Sequence, residues 1–293
     1  MNSIERRTIR HLLSVSATML VPFVLIGALI AGWRGAALGI AIGFAIQTLA
    51  WALAQPLLLK MMRADVVDMT SHPVLLETVT RLAESAGVAR PVVAVSRIRT
   101  PNAFAAATPG GGIVGVTTGL LELLPEDQVA AVLAHEIAHL ERRDRTSVTI
   151  AALLGSIPGV MAAASGSDLL YDRAFRRRIP RAWGGRHLRP VRDAIAFASM
   201  PFTALLVRAS AEPGDEFHAD AEAARLIGDP QPLIAALRKI GALAGRVPAP
   251  VNPALCGLMV IHPFGPERLS RLIDTHPTPL ERVERLAAID PAV

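Results

Sequence analysis

His135-Glu136-Ile137-Ala138-His139 carries the chemistry of this chain. On a helix, residues four apart share a face, so both imidazoles can reach one ion. Glu136 projects to the adjacent side, where it can hold a water and take its proton. Zinc lowers the pKa of a coordinated water from 15.7 to about 7 and polarises a scissile carbonyl. With 8 His among 293 residues, the pattern arises by chance in about one such chain in a hundred, so its surroundings must decide.

A catalytic zinc site takes three protein ligands and leaves a fourth position for water. Glu216-Phe217-His218-Ala219-Asp220 offers the third. Glu216 and Asp220 share a helix face. Glu216 is read as the ligand and Asp220 as the acceptor that orients a ligand histidine. An exposed acidic helix start is the alternative, since acids favour the positive end of the helix dipole. His218 is a rival ligand that points away from the Glu216–Asp220 face. One zinc ion per chain is expected.

The elements that must hold these residues are mainly helical. His72 to Ala86 has the apolar spacing of an amphipathic helix. Pro91–Val95, Ala103–Ala107 and Ile113–Val116 read as short strands, with Gly110-Gly111-Gly112 as a turn. Pro125-Glu126-Asp127 starts the helix that runs through His139 to about Arg143. A second helix runs from about Gly214 to Ile227 and stops at Gly228-Asp229-Pro230. Gln231–Leu243 and Pro279–Ala288 are helical too.

The chain is 52% hydrophobic and only 19% charged, against about a quarter charged in an ordinary soluble chain. Disorder, collagen and disulfide scaffolds are excluded. Cys256 is the only cysteine, which permits no intrachain disulfide. The net charge of +5 suits an anionic membrane surface. Aromatics at 4% are too few for many base-stacking platforms, and no recognition motif accompanies the arginines, so nucleic acid is not an expected partner.

Leu12–Trp33 is 22 residues without a charge and Gly35–Leu59 is 25 more. A helix needs about 20 apolar residues to cross a bilayer. The two segments form a hairpin turning at Trp33-Arg34-Gly35. A signal anchor is the alternative, because the chain begins basic. Arg6, Arg7 and Arg10 flank one end and Lys60 and Arg63 the other, which places both ends in the cytoplasm. A second apolar pair, Thr146–Ser167 and Ala194–Val207, brackets an arginine-rich stretch from Arg173 to Arg189. Whether this pair crosses or is re-entrant stays open. Either way the crossings are even in number, and residues 61–145 and 211–293 share one side. The expected division is a transmembrane hairpin at 1–60, a first catalytic part at 61–145, a membrane-embedded pair at 146–210 and a second catalytic part at 211–293.

In this order the motifs resemble the HtpX-type membrane zinc metalloproteases, relatives of the CAAX prenyl proteases. The likeness covers nearly the whole chain: the hydrophobic hairpin, Pro101-Asn102-Ala103-Phe104-Ala105, Val116-Thr117-Thr118-Gly119-Leu120-Leu121, Ala134 through His139, Glu216 with Ala219-Asp220, and Thr275-His276-Pro277 with Glu281-Arg282. It implies a mainly α integral membrane protein with a zincin-like α+β metalloprotease domain carrying a small β-sheet. It implies zinc (Zn2+) held by His135, His139 and Glu216, with Glu136 as the catalytic base. It implies an endopeptidase acting on misfolded or unassembled membrane proteins, multi-pass in the cell membrane, with the catalytic domain in the cytoplasm.

The resemblance also suggests that His276 donates to the tetrahedral oxyanion; an ordinary loop histidine is the alternative. Asn102, Ala103 and Phe104 could bind an extended substrate by adding its backbone to a sheet edge, against a core strand and turn asparagine. Arg282 pairs with a site carboxylate or lies on a helix surface. His262 reads as a surface histidine. The family usually has arginine where Asp215 stands, which bears on regulation and substrate docking. Polypeptides and the lipid bilayer are the expected partners. The competing function is a catalytically silent membrane scaffold or holdase that kept the fold. A CAAX prenyl protease ranks lower, because that family has more spanning helices than this chain can supply.

Overall fold

The computed structural model describes residues 3–142, 145–156, 203–210, 213–247, 249–264 and 276–289. The apolar N-terminal segments form α1 (Ser3–Ala52), which folds back on itself at Ala31 and Gly32. Gly32 has φ +59° and ψ −142°, a conformation that glycine adopts without penalty. The turn therefore precedes the expected Trp33-Arg34-Gly35. Gly35 serves the packing instead. A side chain there would strike the backbone of Gly27, and one on Gly39 would strike that of Phe23. Small residues let the two arms approach closely. Leu12–Ala52 is long and apolar enough to cross a membrane. Most of its large side chains are exposed, Leu25, Leu29, Leu38 and Phe44 among them.

α2 (Ala54–Met61) ties the hairpin to the rest of the protein through buried Ala54 and Leu58. A short strand follows, β1 (Ala64–Val66), which alternation does not reveal in three residues. α3 (Pro73–Ser85) starts with Pro73 in its first turn and buries Leu75, Leu76, Val79, Leu82 and Ala83. Then come β2 (Val92–Ser96), β3 (Ala103–Ala106) and β4 (Ile113–Thr117). The sheet order is β1-β2-β4-β3, with β2 and β4 parallel and the two outer strands antiparallel. Phe104 lies opposite Gly115. Any side chain at 115 would collide with the Phe104 ring.

Both faces of this sheet are covered. Val93, Val95, Ala103, Ala105, Val114 and Val116 pack with α3 and the helices described next. Ala94, Phe104, Ala106 and Ile113 pack with α2, Val148, Leu255 and Leu258. A fully buried Val, Leu or Phe side chain contributes about 1.5–3 kcal/mol, so the strands are fixed from both sides.

After α4 (Thr118–Leu123), Pro125 accepts from the N–H groups of Gln128 and Val129. This begins α5 (Glu126–Arg142), with Glu126 and Asp127 in its positive first turn. Every residue of α5 from Ala131 to His139 is buried. α6 (Arg145–Gly155) and residues 203–210, also helical, are the described ends of the second apolar pair. They pack against the hairpin through Val15, Met19, Ala151, Leu154 and Leu206. Ser147 Oγ donates to Ser210 O at 3.1 Å. The arginine-rich stretch lies outside the described residues.

α7 (Pro213–Ile227) and α8 (Gln231–Leu243) lie against α5. A 3-10 helix, Pro253–Leu258, leads into a segment that runs antiparallel beside β3, with Phe104 bridged to Met259. α9 (Pro279–Ala287) is started by a capping box between Thr278 and Glu281.

Candidate active site

His135 and His139 stand one turn apart on α5, and α7 places Glu216 against both. His135 Nε2 is 3.3 Å from Glu216 Oε2, His139 Nε2 is 3.4 Å from Oε1, and the two Nε2 atoms are 3.2 Å apart. Ligands about 2.0–2.1 Å from zinc at tetrahedral angles lie about 3.3 Å from one another. The two nitrogens meet different oxygens of the one carboxylate, and the spacing of two imidazoles and a carboxylate is that of a group a zinc ion could join. Both imidazoles are fully buried and Glu216 is 4% exposed. His218 is on the exposed side of α7, so the rival ligand is turned away. The alternative of an exposed acidic helix start does not hold for Glu216 or Asp220.

The carboxylate behind His135 is Asp220, with Oδ1 at 3.0 Å from Nδ1. Nδ1–H then donates to Asp220, and the lone pair of Nε2 faces Glu216. Arg282, brought in by α9 and 1% exposed, grips Asp220 with two bonds: Nε to Oδ2 at 2.8 Å and Nη2 to Oδ1 at 2.6 Å. Its Nη1 donates to Val260 O and lies 3.1 Å from Glu216 Oε2. Of the two places open to Arg282, the structure shows the site.

Burial opposes the ionised form of Glu216, but His276, His139 and Arg282 outweigh it and hold the carboxyl well below its usual range. Burial likewise opposes ionisation of Asp220, and Arg282 and the His135 bond outweigh it, leaving it lowered. Arg282 meets the mirror-image balance, and the two acids raise it above its ordinary value.

Glu136 differs. It is fully buried, and neither of its oxygens has a hydrogen-bond partner among the described residues. Burial pushes its carboxyl up, Glu216 adds to that, and His135, Arg145 and His139 offset only part. A raised carboxyl beside a metal cluster suits a group that accepts and returns a proton.

His276 Nε2 is 3.6 Å from Glu216 Oε1 with the side chain 5% exposed, so the residue stands at the cluster. Asp215 faces Arg142 at 3.8 Å. His262 is buried at 8% exposure, where a surface histidine was expected; its ring packs edge-on against Phe264.

The edge of β3 expected to be open at Asn102, Ala103 and Phe104 is occupied by the chain itself. Asn102 Nδ2 donates to Ile261 O at 2.7 Å, and Val260 N donates to Ala103 O at 3.0 Å. Asn102 and Phe104 are each 1% exposed. The segment from Leu258 to Ile261 takes the place an added strand would need.

Sequence reasoning passed over Arg145. It is the first residue of α6, 3% exposed, with Nη1 bonded to Gly257 O at 2.6 Å and Nη2 at 3.5 Å from Glu216 Oε1. In the sequence it reads as the polar edge of an apolar segment.

Two histidines and a glutamate that a metal could join, beside a buried acid with no hydrogen-bond partner among the described residues, are the construction of a metallopeptidase centre. Residues 71–290 match the model of Peptidase family M48, and the chain belongs to that family in its HtpX-type branch. It is 32% identical over 262 residues to a Protease HtpX homolog of Nostoc sp., covering 89% of each chain. It is 30% identical over 268 residues to one of Paraburkholderia phytofirmans, covering 90% of each. A solved structure of S. mikatae Ste24p has a TM-score of 0.48 at 18% identity, covering 96% of this chain and 65% of that one. That likeness is too distant to add to the assignment.

Proposed function

We propose that the protein is a membrane-bound zinc endopeptidase that hydrolyses polypeptides, membrane proteins in particular, in quality control of misfolded or unassembled chains. The observation that carries this reading is the close grouping of His135, His139 and Glu216, next along α5 to the buried Glu136, whose oxygens have no hydrogen-bond partner among the described residues. His135, His139 and Glu216 would hold the ion. When bound, zinc supplies a Lewis acid that acidifies water and polarises the peptide carbonyl.

The chain's own residues supply the rest. Glu136 takes the proton of the attacking water as its oxygen bonds to the carbonyl carbon. The carbonyl π electrons move to oxygen, and His276 donates to that oxyanion. As the C=O re-forms, the C–N bond breaks and Glu136 delivers its proton to the leaving nitrogen. Asp220 holds the His135 tautomer throughout. The exposed apolar arms of α1 and the basic residues at both their ends support a hairpin that crosses the membrane with both ends in the cytoplasm.

The test is metal analysis and cleavage of a reporter polypeptide by detergent-purified wild type and Glu136→Gln. About one zinc per chain in both, with turnover only in wild type, is the expected result. Equal cleavage by both chains would sink the mechanism. A zinc-loaded wild type that cleaves nothing would put the scaffold reading first.

A further inference from the structure

Glu216 Oε1 is approached from three sides: by His139 Nε2 at 3.4 Å, His276 Nε2 at 3.6 Å and Arg145 Nη2 at 3.5 Å. The third group comes from α6, an element with no other residue at the cluster. Arg145 is a buried cation whose donors are mostly unspent. Among the described residues, Nη1 makes its one hydrogen bond, to Gly257 O, while Nε and Nη2 make none, Nη2 meeting Glu216 Oε1 only as a long ion pair. A buried donor without an acceptor is costly, and its persistence calls for an acceptor supplied during function. Arg145 also lines a cavity of about 480 Å³ together with Trp51, Ala107, Thr108, Leu140 and Glu141, a volume that takes a short stretch of peptide. It thus stands between a cavity and the cluster, with unspent N–H groups at a place where negative charge would develop.

We propose that Arg145 is a catalytic residue of the peptidase reaction, donating from its guanidinium to the substrate carbonyl oxygen as that oxygen becomes an oxyanion, alongside His276. The inference rests on the proposed peptidase reading. A planar fork can hold Gly257 O with one arm and present a second to the oxyanion, which a point charge cannot do as well. The carbonyl is the intended acceptor because Arg145 reaches the same carboxylate oxygen as His276. A group that only balanced the charge of Glu216 would act on metal retention and not on the transition state.

The experiment compares wild type, Arg145→Met and Arg145→Lys as zinc-loaded full-length protein. The readouts are kcat, KM, zinc content, and the affinity by calorimetry for a peptide phosphonamidate, an anionic tetrahedral mimic, beside its uncharged amide counterpart. In Arg145→Met, kcat is expected to fall by about 10²–10³, the worth of one oxyanion donor. Phosphonamidate affinity falls by a similar factor, while KM, zinc content and amide affinity stay near wild type. Arg145→Lys keeps the buried charge and serves if the Met variant does not fold. It is expected to lose at least about tenfold in kcat and in phosphonamidate affinity. Wild-type phosphonamidate affinity in either variant overturns the inference, as does a fall in kcat that merely tracks lost zinc. A zinc-loaded wild type with no cleavage is a separate result, because it removes the peptidase reading itself.

Discussion

Asp220 stands behind His135 at 3.0 Å, on the opposite side of the ring from the nitrogen that faces Glu216. Asp220 is in turn held by two bonds from Arg282. The order of contacts is arginine, aspartate, histidine, metal position, and each group fixes the next. α9 is thus part of the site although it offers no ligand. An Asp220→Asn chain keeps the shape but gives Arg282 a neutral partner. It should bind zinc about 10–100-fold more weakly, the usual cost of altering a group behind a metal ligand. Competition with a chelator of known affinity measures this; unchanged affinity would show that His135 is oriented without Asp220.

Asn102 separates a structural role from substrate binding. Its amide bonds to Ile261 O and its Oδ1 accepts from Ala103 N. Asn102→Ala leaves buried backbone groups unpaired, at about 1–3 kcal/mol. The midpoint of thermal unfolding should fall while KM for a peptide stays the same. A raised KM with wild-type stability would restore the substrate reading.

The fold was legible in the sequence where periodicity or an end signal was strong. Pro125-Glu126-Asp127 marks the start of α5, and the four-residue spacings of His135 with His139 and of Glu216 with Asp220 put each pair on one face. Three features were not legible, each for a physical reason. The hairpin turn is set by the positive φ of Gly32, and nothing in the sequence distinguishes Gly32 from Gly35. The edge of β3 is filled by residues after a 3-10 helix, which show no alternation. Arg145 is the boundary residue of an apolar segment, and only the packing of α6 against the site reveals what it touches.

The glycines of the hairpin give a stability test. Gly35→Val would drive its side chain into the backbone of Gly27. Overpacking of this kind costs about 1–3 kcal/mol, and more where backbone must move. Gly214, in the first turn of α7, has open space around it and no positive φ. Gly214→Ala should therefore change stability by no more than about 1 kcal/mol, in the favourable direction. Thermal unfolding in one detergent checks both, and equal effects would mean that the arms are not packed through Gly27 and Gly35.

The capping box of α9 gives a pH dependence. Hydrogen bonds from Thr278 hold the Glu281 carboxyl below its usual value of 4.5, with Arg285 helping and slight desolvation opposing. The folded pKa is depressed, so the stabilisation is fully present above about 4.5 and is lost as pH falls through the lower folded value. Wild type should exceed Glu281→Gln in unfolding midpoint at pH 6–7, and the gap should close on acidification below about 4.5. A gap that widens in acid would contradict the assigned direction.

Glu136 links stability and turnover in opposite senses. Its carboxylate is fully buried with no hydrogen-bond partner among the described residues. An unpaired buried charge destabilises a fold, so its retention is best understood through the reaction it serves. Glu136→Gln keeps size and shape, removes the charge, and cannot accept the proton of the attacking water. Turnover should fall by about 10²–10⁴-fold, the usual contribution of general acid–base catalysis. Zinc content should stay near wild type, because His135, His139 and Glu216 are untouched. At pH 7 the unfolding midpoint of the chelated protein should rise, by about 2–4 °C for each kcal/mol recovered in a domain of this size. Turnover, zinc content and the midpoint must be measured on one preparation. A variant that is inactive and also less stable would mean that Glu136 is held by contacts its burial does not reveal, and that lost structure, not the lost proton acceptor, explains the inactivity.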